Sequence, residues 1–207
     1  MTYLALGDSI SIDDYTDVAN GGAASQLARR LEADPFIDLT KDGQTSGGLL
    51  KELQEAANMR ELPRIDAVTL TIGGNDLLSG YYFREIGQRN ADKVAFDTFA
   101  RNLRIITALL GRLQCPVVLN TIYDPTDGDD SRIDEIGVPP EARSALQAAN
   151  ELIRESAAAR NFHLCDLEPL FHGHGFWSPD SWIVMHIEPN YAGATKIAEE
   201  WHRLLTS

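Results

Sequence analysis

Tyr3-Leu4-Ala5-Leu6-Gly7-Asp8-Ser9-Ile10-Ser11 opens the chain with an apolar run that breaks at a glycine and then delivers a serine. Residues 3–6 read as a short buried strand, because an unbroken apolar run suits a strand covered on both faces. Gly7 frees the backbone where the strand ends. A serine at the mouth of a first strand is where an α/β enzyme places a nucleophile, so the rest of the chain is read for partners to Ser9.

Strand-like segments recur at residues 36–39, 67–72, 117–123 and 162–165. Helix-like segments lie between them at 23–33, 46–58 (with Ser46 as its cap), 93–113 and 140–160, and a last one at 190–205 closes the chain. The longest places Phe96, Phe99, Leu103, Ile106 and Leu110 on one face. Strand–helix alternation implies a parallel sheet with helices on both sides. The 207 residues suffice for a substantial core, and no repeat or Pro/Gly/Ser-rich linker divides them, so a single domain over 1–207 is expected.

A net charge of −13 repels phosphate, which argues against nucleic acid and against an anionic membrane surface. Cys115 and Cys165 fall at or near predicted strands and read as free buried thiols, with no C-x-x-C spacing for a metal. No apolar run approaches about 18 residues, and no leader pattern opens the chain. A cytoplasmic protein is expected, with a trimmed secreted form as the alternative. The acidic stretch 124–139 lacks the spacing of an EF-hand and reads as a solvated loop.

In open α/β sheets, sites form beyond the carboxyl ends of the strands. Three loops fall there: Gly7-Asp8-Ser9, Lys41-Asp42-Gly43-Gln44-Thr45 and Gly73-Gly74-Asn75-Asp76. A serine hydroxyl needs a base to take its proton, and the oxyanion that follows needs donors, each worth roughly 3 kcal/mol. The candidate donors are the Ser9 N–H, the Gly43 N–H and the Asn75 side-chain amide. Asp8 and Asp76 read as structural hydrogen-bonders, and Asp8 also falls where substrate would bind. Trp177 and Trp182, with Phe176, line either a substrate site or a core.

These three blocks, in order and suitably spaced over nearly the whole chain, resemble the SGNH/GDSL hydrolases, which are esterases, lipases, thioesterases and carbohydrate deacetylases. The resemblance implies a flavodoxin-like three-layer αβα sandwich whose five-stranded parallel sheet has strand order 2-1-3-4-5. It also implies Ser9 as nucleophile, an oxyanion hole from Ser9, Gly43 and Asn75, a small-molecule ester substrate and no cofactor. The family's last block, D-x-x-H-P before the final helix, is not intact. Met185-His186-Ile187-Glu188-Pro189-Asn190 stands there instead, and alignment on the proline puts Glu188 in the histidine position and Met185 in the aspartate position.

Four readings follow for the base. His186 reaches Ser9 from a longer loop; or His174, between two glycines, does so; or Glu188 is itself the base; or hydrolysis is lost and a binding pocket remains. His186 is the first expectation. A zinc site from His172, His174 and His186 has no supporting pattern. Oligomeric state is not legible.

Overall fold

The computed structural model describes residues 1–59, 63–129, 131 and 142–207. Strand β1 (Tyr3–Gly7) is buried along its length. Its side chains alternate, as a pleated strand requires. Leu4 and Leu6 enter one core, and Tyr3 and Ala5 the other. Helices α2 (Ser46–Met59), α4 (Ala91–Leu110) and α5 (Ala142–Arg160) cover the first face through Leu49, Phe99, Leu103, Ile106 and Ile153. Helices α1 (Ala23–Arg30) and α7 (Tyr191–Thr206) cover the second through Leu27, Ile197 and Trp201. The result is a three-layer α/β fold.

Strands β2 (Phe36–Thr40), β3 (Ala67–Thr71), β4 (Val117–Asn120) and β5 (His163–Cys165) complete a five-stranded parallel sheet of order β2-β1-β3-β4-β5. This is the expected order. β3 and β4 are buried throughout, whereas the edge strand β2 is only half-buried. One buried polar link ties the sheet to α7. The Asn120 amide donates to the Leu70 carbonyl at 2.9 Å, and its oxygen accepts from the Trp201 indole at 2.7 Å. Among the described residues no helix is long and apolar enough to cross a membrane. Cys115 and Cys165 are free thiols, Cys165 buried and Cys115 half-buried.

Three elements depart from the sequence reading. Helix α3 (Gly74–Glu85) occupies a stretch read as loop. Its first turn is the Gly-Asn-Asp of the third block, and Gly80 weakens its helical signal. Gly80 is nonetheless required, since a Cβ there would lie 2.7 Å from the Ala95 Cβ of α4. A short helix α6 (Leu167–Phe171) and a hairpin of β6 (Ile183–Val184) and β7 (Glu188–Pro189) precede α7. Ser46 does not act alone as a cap. Its N–H and hydroxyl donate to the two oxygens of Asp76, at 2.8 and 2.6 Å, so a carboxylate from α3 closes the start of α2. Pro140, read as a helix start, and most of the acidic stretch (130 and 132–139) lie outside the described residues.

The register of the central strands sets the site. Gly7 stands abreast of Thr40 on one side and Thr71 on the other, so the three following loops leave the sheet at one level. Gly7 has φ +129°, and a Cβ on it would lie 1.9 Å from the Thr71 carbonyl oxygen. Gly7→Ala should therefore cost at least about 3 kcal/mol of stability, read from urea unfolding at equilibrium. A loss under about 1 kcal/mol would mean that the strands part easily there.

Candidate active site

The first loop turns tightly at the end of β1. The Asp8 N–H donates to the Thr71 carbonyl at 3.1 Å, and the Ser11 and Ile12 N–H groups reach back to the Asp8 and Ser9 carbonyls. The Asp8 carboxylate accepts from the Ile10 N–H at 3.3 Å. This winding leaves Ser9 at the base of a pocket, only 6 % exposed.

The second loop is pinned at both ends. The Lys41 N–H donates to the Gly7 carbonyl at 2.9 Å, and the Gln44 N–H to the Lys41 carbonyl at 3.2 Å. Gly43 between them is exposed with φ +67°, a left-handed conformation that favours glycine. A Cβ on Gly43 would meet nothing within 4 Å, so the residue is required by backbone shape and not by crowding. The third loop is bound to the second, since the Asn75 side chain donates to the Gln44 carbonyl at 3.1 Å. That bond uses one Asn75 amide hydrogen and leaves the other. Among the described residues, neither the Ser9 N–H nor the Gly43 N–H donates to a protein acceptor.

Asp8, Ser9, Asn75 and Glu188 line a cavity of about 120 Å³. The rest of its wall is mainly apolar, with Leu77, Leu78 and Tyr81 from α3, Ile122 after β4 and Leu146 from α5. None of the five histidines is part of this lining. The hairpin register explains His186. Val184 pairs with Glu188, so residues 185–187 form the turn, with Met185 and His186 at φ +48° and +73°. His186 is exposed and packs edge-on against Phe176. The His174 ring stacks on Trp182 at 3.7 Å, with its Nδ1 at 2.9 Å from the Asp180 carbonyl. His172 is exposed beside Asp127. The described contacts of His186 and His174 thus lie away from this lining, and Glu188 is the ionisable residue of the last block that the lining includes. Trp177 and Trp182 also lie outside the lining. Trp182 packs against Phe171 and His174, and Trp177 against Phe176.

Glu188 is held from several sides. It lies in β7, followed by Pro189 and by Asn190, whose side-chain oxygen accepts from the Gly193 N–H at 3.1 Å and whose amide donates to the Ser181 carbonyl at 2.8 Å. The buried Tyr123, stacked on Phe171, donates its hydroxyl to the Ile187 carbonyl. Burial pushes the Glu188 carboxyl up to about 7. The Ser9 side chain, as a hydrogen-bond partner, pulls it down, and Asp8 and Asp42 raise it further. Its Oε2 is buried with no hydrogen-bond partner. Asp8 is raised to about 6 by burial, against the opposing hydrogen bond of Thr71. Tyr15, raised to about 12 by burial and by its hydrogen bond to Asp42, feels Glu188 as well. Tyr15 and Tyr123 were not singled out from sequence. An isolated tyrosine gives no signal of which carboxylate or carbonyl the fold will bring to it.

The model of the GDSL-like Lipase/Acylhydrolase family matches residues 5–196. The spore germination lipase LipC of Bacillus licheniformis is 29 % identical over 101 residues, a stretch that spans 46 % of this chain and 46 % of that protein. Among solved structures, an acetylxylan esterase from Geobacillus stearothermophilus superposes with a TM-score of 0.74 at 16 % identity, over 100 % of this chain and 94 % of that one. An alpha/beta hydrolase from the metagenome of Lake Arreo, Spain, gives 0.69 at 19 % identity, over 100 % and 96 %. At such identities the superpositions speak for the fold.

The Glu188 carboxyl titrates near 7 in the fold, against 4.5 for an unperturbed glutamate. The folded chain thus holds this proton more tightly than the unfolded one, and ionisation subtracts stability as pH rises through that interval. Glu188→Gln should raise Tm at about pH 8 and lose that advantage at about pH 4. An equal effect at both values, in calorimetric melts, would refute the raised carboxyl.

Proposed function

The chain belongs to the GDSL-like lipase/acylhydrolase family, and we propose that it is a carboxylic ester hydrolase in which Ser9 is the nucleophile and the Ser9 N–H, the Gly43 N–H and the Asn75 amide hold the oxyanion. The observation that carries this reading is the joint position of Ser9 and Asn75 in one cavity; Gly43 lies outside that lining, on the loop that Asn75 binds through Gln44, and neither its N–H nor that of Ser9 donates to a described protein acceptor. Attack of Ser9 Oγ on the ester carbonyl moves charge onto the carbonyl oxygen. Donors already fixed in place stabilise that charge without reorganising, each by roughly 3 kcal/mol. The Asn75–Gln44 bond supports the same reading, because it locks the amide and the Gly43 loop together before substrate arrives. Collapse of the tetrahedral adduct expels the alcohol and leaves an acyl-serine. Water then attacks the acyl carbon, and the acid departs as Ser9 regains its proton.

The pocket favours a short, uncharged acyl group. Its cavity of about 120 Å³ is mainly apolar, and an apolar cavity of about 150 Å³ holds a group of benzene size. Asp8 and Asp42 beside Glu188 disfavour an anionic substrate, and Arg143, the cation of the lining, is already paired with Asp124. A second reading is favoured by one observation, the absence of histidine from the lining: a pocket that binds an ester without cleaving it.

Fluorophosphonate labelling separates the two. Wild type should be modified at Ser9, Ser9→Ala should not, and Asn75→Ala should lose about 100-fold in kcat on p-nitrophenyl acetate. A wild-type chain that neither labels nor hydrolyses would overturn the hydrolase reading. Across p-nitrophenyl esters, kcat/KM should fall at least about tenfold from butyrate to decanoate. A rise with chain length would show that the acyl chain lies outside this cavity.

A further inference from the structure

We infer that Glu188, and no histidine, accepts the Ser9 proton, so that hydrolysis runs on a serine–glutamate pair. This rests on the serine-nucleophile reading above.

Four observations carry it. Glu188 and Ser9 line the same small cavity, and the Ser9 side chain acts directly on the acidity of the carboxyl. Each imidazole near this rim is engaged elsewhere: His186 on Phe176, His174 on Trp182, His172 on Asp127. The backbone that carries the carboxyl is fixed, between the hairpin pairing of Val184 with Glu188 and the start of α7. Its Oε2 is buried, with no partner. A buried acceptor without a donor is costly in a folded protein, and such groups cluster where a function uses them.

The chemistry balances without a further reactant. As Ser9 Oγ bonds to the ester carbon, its O–H bond breaks and the proton passes to a Glu188 oxygen. The carbonyl electron pair moves to the oxygen facing the Ser9, Gly43 and Asn75 donors. The protonated carboxyl then gives its proton to the departing alkoxide as the C–O bond breaks. In the second half it takes a proton from the attacking water and returns one to Ser9 as the acid leaves.

An ordinary glutamate is too weak a base for this, but the site corrects that. The groups facing Glu188 are Asp8 from the loop after β1, Asp42 from the loop after β2, Tyr15 beside Asp42, Tyr123 after β4 and Ser9 itself. None of these is a cation; Arg143, the cation of the cavity lining, is paired with Asp124 of the same lining at 3.4 Å. Together with burial they bring the carboxyl to about 7, within reach of an imidazole's ordinary 6.5 or so. A carboxylate base has no N–H for an orienting aspartate to accept. The residue three positions earlier is accordingly free to be Met185, which is 66 % exposed.

The test is steady-state hydrolysis of p-nitrophenyl acetate by Glu188→Gln, His186→Ala, His174→Ala and His172→Ala. Glu188→Gln should lose at least about 100-fold in kcat with little change in KM, while folding cooperatively, and the histidine variants should keep most of the wild-type kcat. In wild type, kcat should rise with pH to a plateau, with an inflection near 7. That inflection should stay in place on warming, because carboxyl ionisation carries almost no enthalpy; an imidazole's would move down. A histidine variant as impaired as Glu188→Gln, a Glu188→Gln enzyme with wild-type kcat, or an inflection that shifts with temperature would each overturn the inference. If Ser9 still takes the fluorophosphonate label in that event, the nucleophile reading stands. If Ser9→Ala hydrolyses as well as wild type, it is the nucleophile reading that has failed.

Discussion

Strands β1 and β3 run so close at Gly7 and Thr71 that no side chain fits between them, and the geometry of the site depends on that approach. It obliges the chain to leave β1 at φ +129°. Asp8 then bonds back to Thr71, and Ser9 is turned into the pocket instead of away from it. The same register sets Thr40 and Thr71 level with Gly7. The loops carrying Gly43 and Asn75 therefore begin where the Ser9 loop begins. A slip of one residue between these strands would reverse every side chain facing the two cores, so the apolar pattern of Leu4, Leu6, Tyr3 and Ala5 defends the register that the site needs.

Polar ties between loops make this placement rigid. Asp76 binds the first residue of α2 through both oxygens, and Asn75 binds Gln44, so adjacent residues of α3 grip adjacent parts of the second loop. Asn102 from α4 donates to Ser46 at 3.0 Å and extends the network into the core. Such fully bonded buried groups cost little and fix one arrangement among many. The contrast is with Glu188, whose Oε2 is left without a partner in the same region.

Much of this was legible. The alternation of apolar runs with helical stretches, and the Gly7–Ser9 and Gly73–Asp76 blocks, already indicate a parallel sheet with a site at its carboxyl edge. Gly43 stands in an open left-handed turn, where backbone shape and not crowding calls for glycine. The start of α3 escaped because Gly74, Asn75 and Asp76 are turn formers by local chemistry, and only packing against α4 makes them a helix. The base was ambiguous because a hairpin of two-residue strands leaves almost no pattern. Whether His186 or Glu188 faces Ser9 depends on one pairing, Val184 with Glu188, that no spacing rule specifies.

That pairing carries an electrostatic consequence. In a chain of net charge −13, Asp8, Asp42 and Glu188 cluster near a buried serine, and no cation is among the groups that set the Glu188 carboxyl's acidity. A fold selected for stability alone would avoid this, since each carboxyl raises the cost of ionising the next. The cluster is intelligible if basicity is what the site requires. An imidazole brings a suitable pKa with it and needs only orientation. A carboxylate must have its pKa made by burial and by neighbouring charge. In the proposed reaction the apolar wall from α3, Ile122 and Leu146 would leave room for a short acyl group, and the burial of Glu188 is what keeps it from being an ordinary, weakly basic glutamate.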